Sequence, residues 1–105
     1  MQKTFTPLCP QELPVIGGEL IVPELNRQAE FARLRIGSKD AHSPHAIWIA
    51  DAENPMLSSI EGDNVDVRWP LHAVPGTAGF ELVPGLPCPK HYDYFVWKGI
   101  EPDMH

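Results

Sequence analysis

At 105 residues the chain has room for one domain, and its composition, 43% hydrophobic and 21% charged, is that of a folded globular segment rather than a disordered one. A net charge of -6 with only eight lysines and arginines argues against nucleic-acid partners, which require a basic patch. No apolar run approaches the roughly 20 residues of a membrane span and no secretory leader opens the chain, so a cytoplasmic location without membrane contact is expected.

Twelve prolines, clustered before residue 24 and after residue 69, imply much ordered loop. Cys9 and Cys88 are far apart and each precedes a proline. They form no zinc motif or disulfide framework and are read as free, inert thiols. The first predicted element is a helix over Val22 to Arg33, with Ile21, Leu25, Ala29 and Ala32 at helical spacing and Pro23 in its first turn. The alternation of Leu34 and Ile36 with Arg33, Arg35 and Ser38 then predicts a strand ending near Asp40. A second strand is predicted at Tyr94 to Trp97, a continuous apolar run of the kind buried in a parallel sheet, stopping at Lys98-Gly99. Helix followed by strand suggests an α/β unit. The roughly fifty residues between the strands are weakly periodic, and unstructured loops of that length are commonly functional.

Both strands end on a charged residue, Asp40 and Lys98, and sites in open α/β sheets lie at the carboxyl ends of strands. Asp40 and His42, two apart, share a face of an extended segment and could hold one metal ion. His72, framed by Trp69 and Pro70, is the leading third ligand. One carboxylate and two imidazoles suit a catalytic zinc, iron or manganese with an open position. On spacing alone a polar turn is the commoner outcome, with Asp40 as a cap, His42 and His45 flanking Pro44 at the surface and His72 in a loop. Trp69 reads as a loop tryptophan closing the core, the commoner fate, or as an aromatic wall, and Lys98 as a solvated strand end or a charge-stabilising site lysine.

The order of motifs supplies what spacing lacks. "LPVIGGELIVPELNR", "KDAH", "RWPLHAVPGTAGFEL" and "VWKGIEPD" follow one another in a succession that resembles the nicotinamidase branch of the isochorismatase-like cysteine hydrolases, over nearly the whole chain. The resemblance implies a three-layer α/β/α fold with a parallel sheet, of which this chain is the N-terminal part. It implies a divalent metal, zinc before iron or manganese, held by Asp40, His42 and His72, with His45 an open fourth. It places Trp69 beside a pyridine ring, with Phe5 lining the same pocket, and makes Lys98 the lysine of a Cys-Asp-Lys triad.

The implied reaction is hydrolysis of nicotinamide to nicotinic acid and ammonia, a step of NAD salvage, with a small-molecule amide as partner and self-association left open. A thiolate attacks the amide carbonyl, ammonia leaves, and water opens the thioester. The family's Asp falls just before Met1 and its Cys after His105, so the 105 residues alone are expected to be inactive. Ala41 and Ala73 stand where the family has Trp and Cys, which bears on substrate. Two alternatives remain open: a related cysteine hydrolase with another substrate, and a non-catalytic metal-binding member.

Overall fold

Gly17 adopts a left-handed backbone, φ 81°, a conformation that costs any residue with a Cβ and that opens the first ordered turn. The structure, a computed structural model, describes residues 12–105, so Phe5 and Cys9 lie outside the described residues. A 3-10 turn, Gly18–Ile21, runs directly into helix α1, Val22–Ala29, with Pro23 at a position where its missing N–H is not needed. On the exposed side, Glu24 accepts hydrogen bonds from Arg27 and Gln28, which hold its carboxyl below its ordinary value.

The helix ends at Ala29, short of the predicted Arg33. Glu30, Phe31 and Ala32 bond back three residues, to Arg27, Gln28 and Ala29, in the tighter turn that closes many helices. Packing of an apolar face sustains a short helix. Phe31, 81% exposed, supplies none.

Strand β1, Ile36–Asp40, begins inside the alternating stretch that opens at Arg33, because the Arg35 N–H is taken by the Asp93 carboxylate at 2.7 Å. Two short strands follow in the long connection, β2 at Ser59–Gly62 and β3 at Val65–Val67, forming an antiparallel hairpin that periodicity did not reveal. Strand β4, Tyr94–Lys98, pairs with β1 in parallel, in register from Ile36 opposite Tyr94 to Asp40 opposite Lys98. A parallel pair with a crossover and a preceding helix is an α/β arrangement, as expected.

The expected burial of β4 is not found. Tyr94 is 63% exposed and Val96 on the same face is exposed too, because no layer of described residues covers that face of a two-stranded sheet, while Trp97 on the other face meets the edge of Phe80 and stays half exposed. The buried centre lies instead beyond the ends of the strands: Ala41, Ala46 and Trp48 with His42 and His72, while Val22 and Phe80 are buried elsewhere along the chain. Among the described residues no helix is long and apolar enough to cross a membrane.

Candidate metal centre

The parallel register sets Asp40 beside Lys98 at the carboxyl ends of β1 and β4, and the Lys98 ammonium donates to the Asp40 carboxylate. Partial burial opposes the negative charge on Asp40, but the hydrogen bond and charge of Lys98 outweigh it and hold the carboxyl below its ordinary value. The ladder continues one step, from the Ala41 N–H to the Lys98 carbonyl at 2.8 Å, and the chain then turns inward. Ala41 and His42 are therefore buried, the histidine to 1% exposure.

His42 is held on both sides. Its backbone N–H donates to the Ala73 carbonyl at 2.9 Å, and its ring Nδ1 lies 3.0 Å from the Gly99 carbonyl. A carbonyl can only accept, so Nδ1 carries the proton and Nε2 presents a lone pair. Ala73 has a left-handed backbone, φ 55°, and its own N–H is capped by the Glu12 carboxylate at 3.0 Å. That turn also delivers His72, whose Nδ1 lies 2.6 Å from the Pro70 carbonyl, so its Nε2 is likewise the free acceptor.

Imidazoles fixed by backbone carbonyls, with ring nitrogens within 4.8 Å of one another, are how proteins orient histidine for a metal. The His42 and His72 rings meet edge to face, with centroids 4.8 Å apart. Asp40 Oδ2 lies 3.6 Å from His42 Nε2. That nitrogen is buried and has no hydrogen-bond partner among the described residues. An orphaned buried acceptor costs about 1–3 kcal/mol, and a divalent cation held among the imidazoles would satisfy it. The donor set fits such an ion.

The structure therefore sets Asp40 between Lys98 and His42, clusters His42 with His72, places Trp69 at the edge of that cluster against His105, and leaves His45 apart. His45 is exposed, and its N–H bonds to the Ser43 hydroxyl in a local turn. Two residues at the centre have no counterpart in the motif reading. Trp48 is 0% exposed and packs on the imidazoles. His105 joins His42 and His72, with one ring nitrogen of each within 4.8 Å of the others. Trp48 was legible only as one apolar residue of "AIWIA", and no spacing pointed to His105. It arrives because Met104 pairs with Asn64 next to the hairpin.

No protein-family model and no curated protein matches the chain. A solved structure does. It is the Acinetobacter baumanii nicotinamidase/pyrazinamidase, 27% identical with a TM-score of 0.78, over 94% of this chain and 48% of that one. The chain is similar to a nicotinamidase. It spans about half the length of that enzyme, and the likeness points to the same superfamily of hydrolases as the order of the motifs.

The Gly99 carbonyl that fixes His42 depends on a left-handed glycine, φ 69°. A Cβ there would stand 2.6 Å from His42 Cε1. Gly99→Ala is expected to cost more than about 1 kcal/mol in the left-handed backbone alone, and to displace the ring. Urea unfolding and metal titration of this variant should therefore both shift; a wild-type midpoint would contradict it.

Proposed function

We propose that the protein containing this chain is a metal-dependent amidase that hydrolyses nicotinamide to nicotinic acid and ammonia, through a Cys-Asp-Lys triad to which this chain contributes Lys98. The observation that carries the reading is the buried, unpartnered Nε2 of His42 beside Asp40, whose carboxylate is in turn held by Lys98. Metal-type donors and a lysine thus meet at the carboxyl ends of a parallel pair. The likeness to a nicotinamidase over 94% of the chain supports it.

Asp40, His42 and His72 would hold the divalent ion, zinc before iron or manganese by the imidazole-rich donor set. When bound, the ion supplies a Lewis-acidic point that orients the substrate. Lys98 favours the ionised partners of the thiol chemistry by its positive charge. Trp69 offers a flat wall beside the imidazoles, and Phe5 is assigned to the same pocket by its place in the motif order. The triad's thiolate adds to the carboxamide carbon, the C–N bond breaks with a proton delivered to the departing ammonia, and water cleaves the thioester to release the acid.

A second reading, a cysteine hydrolase of the same kind acting on another amide, is favoured by one feature. Ala41, 3% exposed, and Ala73 are smaller than the residues that the resemblance puts there. Ammonia release by the intact protein decides between them. Turnover of nicotinamide and pyrazinamide is expected, lost on chelation and restored by zinc, manganese or iron. Cleavage of some other amide with nicotinamide untouched would overturn the substrate assignment.

A further inference from the structure

We infer that His105 is a metal ligand, the fourth donor after Asp40, His42 and His72, and the one at the mouth of the site; this rests on the metal reading above. Two nitrogens bound to zinc at about 2.1 Å and a tetrahedral angle stand about 3.4 Å apart. His105 Nε2 and His72 Nε2 are separated by 3.4 Å. The Asp40 Oδ2 to His42 Nε2 distance, 3.6 Å, is close to the same edge. Because the Nδ1 proton of His72 is committed to the Pro70 carbonyl, a lone pair is what faces His105. A second unshared lone pair, on His42, sits in the same cluster.

The ring of His105 is placed, not merely nearby. It stacks on Trp69 at 18° between planes and on His42 at 20°, with the edge of Trp48 against it at 4.6 Å between centroids. The segment leading to it is anchored by three separate contacts: Ile47 N–H to the Pro102 carbonyl at 2.9 Å, Trp48 Nε1–H to the Met104 carbonyl at 2.6 Å, and the Asn64 to Met104 bridge. His42 and His72 are buried, whereas His105 is exposed. The first two are thus the fixed floor of the site and His105 its exchangeable cover. A flat molecule that stacks on the same face of Trp69 must displace it.

The test is cobalt(II) and zinc(II) binding to the intact protein and its His105→Ala, His72→Ala and His45→Ala variants. Loss of an outer-shell partner alone typically weakens binding about 10–100-fold. His105→Ala is therefore expected to weaken the metal Kd at least about tenfold and to alter the cobalt d–d spectrum, with free imidazole restoring the spectrum. His45→Ala should bind as wild type. A hydrogen bond between the two rings would have the same length, and the cobalt spectrum separates that case. Wild-type affinity and spectrum in His105→Ala, with His72→Ala impaired, would overturn the inference and leave the proposed site standing. Unchanged binding in both would overturn the metal reading itself.

Discussion

Trp48→Ala is expected to lower the stability of the protein by about 3–5 kcal/mol, the usual cost of truncating a large buried aromatic. The indole is 0% exposed, and its ring packs against His42, His72 and His105. Truncation opens a cavity among side chains that are themselves polar and cannot collapse inward without losing their hydrogen bonds. It also strips the Met104 carbonyl of its 2.6 Å donor. Against a total stability of about 5–15 kcal/mol for a domain, the loss is severe. Urea unfolding followed by circular dichroism should give a lower midpoint with an unchanged slope. Trp48→Phe, which keeps a ring but lacks the N–H, should fall between the two. A wild-type midpoint for the alanine variant would show that the indole is not the keystone of this region.

Lys98→Met is expected to reduce amide hydrolysis by about 10²–10³-fold, the range seen when one preorganised electrostatic donor is removed. The substitution keeps an unbranched side chain in β4, where the lysine is exposed, so the strand should persist. Asp40 loses the cation that holds its carboxyl down, but keeps its oxygens beside His42 to receive a metal ion. Metal content should therefore be retained while kcat falls. Asp40→Ala should do the reverse, releasing metal first. Because the two side chains are partly solvated, the ion pair itself adds little to stability, at most about 1 kcal/mol. Equal loss of metal in both variants would mean that Lys98 acts only by holding Asp40.

What could be read in advance divides along physical lines. The ends of β1 and β4 were legible because each strand stops at a charged residue after an apolar or alternating stretch. Pro23 marked the first turn of α1. The end of that helix was not legible, since Leu25, Ala29 and Ala32 keep helical spacing whether or not a neighbour buries them. The β2–β3 hairpin escaped because strands of four and three residues carrying Glu61 and Asp66 are too short and too charged to alternate visibly. Asp40, His42 and His72 could be named from spacing, but only the order of motifs set them above a polar turn. The orphaned Nε2 and the neighbourhood of Trp48 and His105 are properties of tertiary packing, and no local pattern encodes them.

The register of β1 against β4 has a kinetic consequence. His42 is fixed by a carbonyl 57 residues away, Trp48 by one 56 away, and Asp40 meets a lysine 58 away. Contacts of such sequence separation form late, because the entropy of closing the intervening loop must be spent before they return anything. Local structure, α1 and the hairpin, can come and go before then. Joining β4 to β1 quenches Trp48, orients the imidazoles and brings Lys98 to Asp40 in one event. In a refolding experiment, tryptophan burial and metal capture should therefore share a single slow phase.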